Sequence, residues 1–436
     1  MIWVSGSKRI RYVTNLQYIK GDIKMGLRND AKKIVDAAIN AALPNTAVEK
    51  ALKDIDLNNK KGRLILISIG KAAWSMAKTA SDLLGDKIDE GVVITKYEHS
   101  QGGLPNIKIF EAGHPVPDEN SFIATDEAIK AVSNLSENDN VLFLVSGGGS
   151  ALFEKPLIPG AELEDITNQL LSSGASIVEI NTIRKRLSSV KGGKFAKLCG
   201  SAHVYSIILS DIIGDPLDMI ASGPAYPDSS TSEEAVQIIQ KYKIRLSEEA
   251  KELLDKETPK ELYNVTTKVT GSVSQLCVAA EKTCKKLGYK PITLTASLSC
   301  QAREAGSFLA SIAEYYNNSD ESLAFIAGGE TVVHLKGKGK GGRNQEIAFG
   351  AAEQLSKLND VAIFSIGSDG TDGPTDAAGG YVDNNTKSIL DEKGIKIHEV
   401  LENNDSYNGL KECDGLIITG PTGTNVNDLS VLLIKR

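Results

Sequence analysis

Polar residues and glycines gather in this chain just behind short apolar runs, and several of these clusters could do chemistry. Ser146-Gly147-Gly148-Gly149-Ser150 follows the run Val141–Val145. Three glycines allow backbone N–H groups to approach a phosphate or carboxylate, and either serine can add a hydroxyl; a tight turn is the plainer alternative. Lys71 follows Leu64–Ile69 at the expected start of a helix. A cation there opposes the helix dipole unless an anion lies against both, so it reads as an anion contact or as an ordinary solvated lysine. The basic stretch Asn181–Lys194 contains Arg184 and Lys191, the latter beside Gly192-Gly193. Such stretches are usually solvated helix faces, but here they are also candidate phosphate or substrate contacts.

Acids occupy two further loops. Ser210-Asp211 ends the apolar run His203–Leu209, with Asp215 four residues on. Two carboxylates at the end of a buried strand suit general-base work or a metal, although an N-cap explains one of them. Asp369, Asp372 and Asp376 alternate with Gly and Thr behind Val361–Ile366, a pattern suited to a hard cation. The expected roles are Asp211 as the group that orients or deprotonates a hydroxyl, with Asp369 and Asp215 holding metal. The stretch Gly420–Asp428 repeats the polar theme.

A last loop, Lys336–Arg343, interleaves four cations with glycines. Its Gly337-x-Gly339-x-x-Gly342 spacing superficially fits a dinucleotide, which leaves open an NAD(P)H-dependent hydroxypyruvate reductase. The lysines suit a triphosphate or a transferring phosphoryl group better, with Arg343 the planar donor. Anion-binding and acidic loops in one chain, with no Walker motif and no protein-kinase signature, describe a phosphoryl-transfer enzyme outside the P-loop class.

The elements that must position these loops follow from periodicity. Helical spacing begins after Met25 with Leu27, Ala31, Ile34, Ala38 and Ala41, where Asn29 or Asp30 can cap. The preceding segment shows no period, and Met25 is a candidate start. Strands are expected at Leu64–Ile69, Gly91–Thr95, Val141–Val145, His203–Leu209, Ile292–Thr295, Leu323–Ala327, Thr331–Leu335, Val361–Ile366 and Leu416–Thr419. Helices are expected near 72–84, 274–287, 301–315 and 344–358. Nearly all-apolar strands alternating with helices imply a mostly parallel sheet covered on both faces. A charged stretch at 231–260 marks the junction between two α/β domains, 25–235 and 245–436, with the site in the cleft between them.

Composition narrows the function classes. At 436 residues and net charge −7, the chain lacks the basic excess that nucleic-acid binding runs on. Five cysteines form no C-x-x-C pair and five histidines are scattered singly, so neither a disulfide framework nor a zinc site is expected. Cys277 and Cys284, seven apart, should share one buried helix face. No apolar run approaches membrane-spanning length and no signal peptide is evident, so the expected location is cytoplasmic. Oligomeric state is not legible.

The stretches Gly70–Ala72, Ala112–Asp118, Ser146–Ser150, Asn181–Lys194, Ser210–Pro224, Gly328–Glu346, Ser368–Gly380 and Gly420–Asp428 together resemble the MOFRL-containing glycerate kinase family, in family order across nearly all of the chain after Met25. The chain departs from the family pattern at Ser299-Cys300-Gln301, Ala225 and Val273. The resemblance implies a Rossmann-like N-terminal domain and a smaller C-terminal one. It further implies transfer of the ATP γ-phosphoryl group to the 2-hydroxyl of D-glycerate with Mg²⁺ or another divalent cation. Lys71 and Arg343 match family positions associated with catalysis.

Overall fold

The structure is a computed structural model and describes residues 26–55 and 62–436, so the candidate start at Met25 lies outside the described residues. Six strands form the first sheet: β1 (Leu64–Ile69), β2 (Glu90–Lys96), β3 (Ile107–Ala112), β4 (Asn140–Val145), β5 (His203–Leu209) and β6 (Val265–Gly271). Their order is β3-β2-β1-β4-β5-β6 and every pairing is parallel. This is the doubly wound order in which chain direction across the sheet reverses between β1 and β4. Helices cover both faces, so β1 and β4 are buried on both sides and read as unbroken apolar runs. The one hydroxyl within β1, Ser68, donates to the Ala73 carbonyl and so satisfies its burial.

The second sheet contains β7 (Lys290–Leu298), β8 (Leu323–Gly329), β9 (Val361–Gly367), β10 (Gly379–Asp383), β11 (Leu416–Ile417) and β12 (Asp428–Ile434), in the order β11-β10-β9-β12-β8-β7. Only β7 and β8 pair in parallel; the other four pairings are antiparallel. The mostly parallel arrangement expected from alternation therefore describes the first sheet and not the second. The C-terminal strand β12 inserts between β8 and β9, a pairing that local periodicity does not reveal. The expected strand Thr331–Leu335 is absent. Val332 forms an isolated bridge to Gln301, and Val332 and Leu335 are 53% and 81% exposed, with no sheet to bury them.

The charged stretch at 231–260 forms two helices, Ser232–Tyr242 and Glu248–Leu254. They pack with helices Gly160–Ser172 and Ile177–Leu187 around their own apolar cluster, including Leu163, Ile166, Leu170, Ile183, Ile238 and Leu254. The stretch is thus a packed helical insertion, and β6 beyond it still belongs to the first sheet. At the other end, helix Leu27–Ala42 packs against the second half of the chain. Asp30 accepts from Tyr289 Oη at 2.8 Å and Lys435 Nζ at 2.6 Å, so it is an anchor between distant segments and not the expected N-cap, a position that Gly26 holds. Cys277 and Cys284 share the buried face of helix Val273–Lys286, as their spacing predicts. Among the described residues no helix is long and apolar enough to cross a membrane.

Candidate active site

The loops leaving β1, β3, β4 and β5 converge at the C-terminal edge of the first sheet, around the point where strand order reverses. Parallel α/β sheets open a crevice at that point. The β1 and β4 loops are bolted together. Lys71 N–H donates to Gly147 O at 2.9 Å, and Ser146 Oγ accepts from Ala72 N–H while donating to Ile69 O, both at 3.1 Å. Ser146 is buried and spent on this framework, which corrects its expected role as a ligand hydroxyl. Below the loop, Phe143, Phe153 and Phe195 pack ring against ring, with centroids 4.7 to 6.0 Å apart, and fix its floor.

Glycine is required at each position of this loop. A Cβ on Gly147 would lie 2.2 Å from Asp211 Oδ2. On Gly148, whose φ is +85°, it would lie 3.0 Å from the His114 ring and 3.2 Å from Lys71 Cγ. On Gly149 it would strike Ala221. The absence of side chains thus lets Asp211, His114 and Lys71 close on the loop from separate directions. Among the described residues, no acceptor takes the N–H groups of Gly147, Gly148, Gly149 or Ser150. Successive free amides around a left-handed glycine are backbone donors of the kind that can receive an anion. Lys71, exposed and with no ion pair among the described residues, adds a positive charge at the rim of the loop.

The expected ligand contacts Arg184 and Lys191 point elsewhere. Lys191 is fully buried and donates to Ser150 O at 2.8 Å and Phe153 O at 2.9 Å, with Glu154 3.4 Å away. Arg184 donates to the same Ser150 carbonyl at 3.0 Å and to Glu154 at 3.3 Å. Burial pulls the Lys191 ammonium down to about 8 against the attraction of Glu154. Neighbouring cations are also internal. Lys185 pairs with Asp228 at 2.9 Å, and Lys194 donates to the carbonyls of Lys185, Arg186 and Ser188. This basic run is therefore not a solvated face, and most of its cations are engaged inside the fold. It caps the C-terminus of helix Ile177–Leu187, where cations complement the dipole, and it holds the glycine loop from beneath.

Ser150 Oγ lies 3.0 Å from Ser222 Oγ, which bonds Asn181. Ala221 and Ser222 both have positive φ, 51° and 62°, so two non-glycine residues are held in the left-handed region next to the site. Strain of this kind persists where surrounding contacts impose it and clusters at functional sites. Asp211 makes no side-chain bond to another of the described residues. Burial raises its pKa, Lys71 lowers it, and Glu330 of the second half raises it again.

Arg343 opens helix Arg343–Leu355, where a cation is unfavourable, and three carboxylates offset this. Its Nε and Nη2 grip the buried Asp428 at 2.5 and 3.0 Å, while Nη1 meets Glu330 at 2.9 Å. Burial lowers the guanidinium pKa, and Asp428 with Glu330 more than reverses this, leaving it raised. Asp372 accepts from the N–H groups of Asn344 and Gln345 at 3.2 and 2.8 Å and so caps the helix; burial pushes its pKa up to about 6. Asp369 accepts from Thr371 N–H at 2.9 Å, and Asp215 leaves its buried Oδ1 without a partner among the described residues. Among the described residues, no three His, Cys, Asp or Glu side chains gather as a metal cage.

The glycine–lysine loop is tied down through its backbone. Asn404 Oδ1 accepts from Lys336 and Gly337, Asn403 from Lys338 and Gly339, and Asp405 from Lys340, all within 3.2 Å. A Cβ on Gly337 would lie 2.2 Å from Asn403 O, so these glycines serve close backbone packing. With the amides of Lys336–Lys340 taken, that half of the loop is no pyrophosphate cradle, and the superficial dinucleotide fingerprint loses most of its physical basis. His114, Glu330 and Asp428 are the residues that sequence reasoning missed. His114 lies two residues beyond β3, whose alternating Ile107 and Ile109 were the available signal.

Residues 30–255 match a domain of unknown function, DUF4147, and residues 323–428 match the MOFRL family. The chain is 52% identical over 415 residues to D-glycerate 2-kinase of Thermotoga maritima, covering 94% of this chain and 98% of that one. It is 42% identical to glycerate 2-kinase of Pyrococcus horikoshii, with 94% and 98% covered. The crystal structure of glycerate kinase from Thermotoga maritima shares its fold at a TM-score of 0.89 and 51% identity, covering 94% of this chain and 99% of that one. Similarity of this extent spans both sheets and every loop described above, and on it the chain belongs to the glycerate kinase family.

Proposed function

We propose that this protein transfers the γ-phosphoryl group of ATP to the 2-hydroxyl of D-glycerate, giving 2-phosphoglycerate and ADP. The observation that carries this reading is the run of four free amides at Gly147–Ser150, rimmed by unpaired Lys71 and bordered by Asp211. Glycerate's carboxylate lies on the amides, with its 2-hydroxyl toward Asp211. A carboxylate whose pKa is raised by burial is a better proton acceptor at neutral pH than a solvated one. The hydroxyl oxygen forms its bond to the γ-phosphorus as its proton passes to Asp211. The bond from that phosphorus to the bridging oxygen breaks, and the electron pair leaves with ADP. Lys71 and Arg343 neutralise charge on the transferring group, Arg343 exchanging Glu330 for phosphate oxygens while Asp428 keeps its hold.

A divalent cation fits this site in donor chemistry. Mg²⁺ in phosphoryl transfer keeps several waters and takes one or two carboxylates plus substrate oxygens, so a three-acid cage is not required. Asp215, with its unpartnered buried Oδ1, is the stronger holder, and Asp369 keeps one oxygen open. When bound, the ion would neutralise charge on the nucleotide phosphates. Lys71 and Asp211 come from one sheet and Arg343 from the other, so catalysis brings the two together around the substrates.

The test is an enolase-coupled assay without added mutase. ATP and D-glycerate should together produce phosphoenolpyruvate absorbance, with ADP released in equal amount. Formation of 3-phosphoglycerate alone would refute the regiochemistry. Glycerate-dependent reduction of NAD(P) would restore the reductase reading.

A further inference from the structure

His114 stands at the end of β3 with its ring against the glycine loop: a Cβ on Gly148 would lie 3.0 Å from its Cδ2 and 3.1 Å from its Nε2. The Lys71 stem borders the same glycine. Neither ring nitrogen of His114 forms a hydrogen bond among the described residues, although the ring is only partly exposed. The groups acting on it are burial first, then Lys71, Lys96 and His99, and all four lower its pKa. A neutral imidazole offers one N–H donor and one lone-pair acceptor. A carboxylate or phosphate oxygen arriving here has four free amides and Lys71 to choose instead. A hydroxyl, itself both donor and acceptor, is the group that uses an imidazole fully.

Position then selects which hydroxyl. Asp211 closes on Gly147 and His114 on Gly148, so the two side chains flank the loop at successive glycines. With the carboxylate seated on the amides, C2 of glycerate carries two remaining oxygen-bearing arms, the 2-hydroxyl and the hydroxymethyl group. We propose that His114 binds the 3-hydroxyl of D-glycerate, and that this contact presents the 2-hydroxyl to Asp211 and holds the primary alcohol away from the phosphoryl group. The inference rests on the reading of Gly147–Ser150 as the carboxylate cradle. It adds a specificity-determining residue from a strand that supplies no other part of the site.

The experiment compares D-glycerate with D-lactate, which lacks only the 3-hydroxyl, in wild type, His114→Ala and His114→Gln. A site built to bond a hydroxyl rejects the analogue lacking it strongly, so wild type should prefer glycerate by on the order of 10²-fold or more in kcat/KM. His114→Ala should lose roughly that factor with glycerate and stay unchanged with lactate, so that the preference collapses. His114→Gln, a neutral donor and acceptor of similar reach, should recover part of it and carries the comparison should the alanine variant not fold. If lactate turnover is below detection, its Ki as a competitor of glycerate takes the place of kcat/KM. A parallel loss with both compounds, or an unchanged preference, overturns the proposal. A wild type inactive with both would overturn the functional reading as well, which separates the two failures.

Discussion

Lys71 and Lys191 are the same residue type in neighbouring loops, and the structure assigns them opposite consequences. Lys71 is exposed, forms no ion pair among the described residues, and contributes only its backbone to the framework. Removing its side chain in Lys71→Ala therefore deletes no hydrogen bond or ion pair among the described residues, and the thermal midpoint should move by no more than about 1 °C, as for an ordinary surface substitution. Catalysis is another matter. A unit charge about 4 Å from a transferring phosphoryl group is worth ~1 kcal/mol in water and ~4 kcal/mol at the effective dielectric of a protein site. At ~1.4 kcal/mol per factor of ten, the range runs from about 5-fold to about 10³-fold, and a closed cleft lies toward the upper end. The expected result is a fall of roughly 10²–10³ in kcat, with KM for glycerate changing less. Steady-state kinetics in the enolase-coupled assay, beside thermal melts of both proteins, make the measurement. Turnover within threefold of wild type would remove Lys71 from the mechanism. A melt lowered by ten degrees would show that its side chain is built into the fold after all.

Lys191→Met should do the reverse, because it leaves buried Glu154 and the Ser150 carbonyl with Arg184 alone and strips the Phe153 carbonyl of its donor. A loss of roughly 3–5 kcal/mol in urea unfolding is expected, and an unchanged midpoint would contradict the burial argument. Arg343→Lys should lower kcat by roughly 10²-fold, since a point charge is unable to hold both oxygens of Asp428 while meeting a phosphate; near-normal turnover would show that the planar fork is not used. The buried Asp372 carboxylate, pushed up to about 6, carries an ionisation cost that is absent below its unfolded pKa and fully present above about pH 6. Wild type should therefore lose stability relative to Asp372→Asn by roughly 2 kcal/mol as pH rises from 4 to 7. Denaturation midpoints at four pH values test this, and a constant difference would mean that the carboxylate is not shifted.

Much of the proposed site was legible before any folding. Lys71, Gly147–Ser150 and Asp211 sit where strands end, and strand ends follow from short apolar runs broken by glycine and polar residues; Arg343 stands instead at a helix start, marked by the glycines before it. Local pattern identifies β1, β4 and β5 for the same reason: a strand buried on both faces has no polar side to confuse its reading. β6, with Thr266, Thr267 and Lys268 in an edge position, and β10, which opens on Gly379-Gly380, lacked that signature; β12, mostly apolar and buried throughout, carries it and was missed.

What local pattern alone determined was which residue types stand at the ends of which strands, because a period of two or of 3.6 is written within ten residues. Direction of charge was decided only by tertiary packing. Lys191 and Arg184 carry the same charge as Lys71, yet they face inward to Ser150 and Glu154 because buried partners from other elements meet them there. The amides of Lys336–Lys340 and those of Gly147–Ser150 both lie in glycine-rich segments, yet Asn403–Asp405 occupies the first set and leaves the second open. Sequence specifies that a donor or a charge exists. Whether it is spent inside the fold or left for a ligand depends on contacts between residues far apart in the chain.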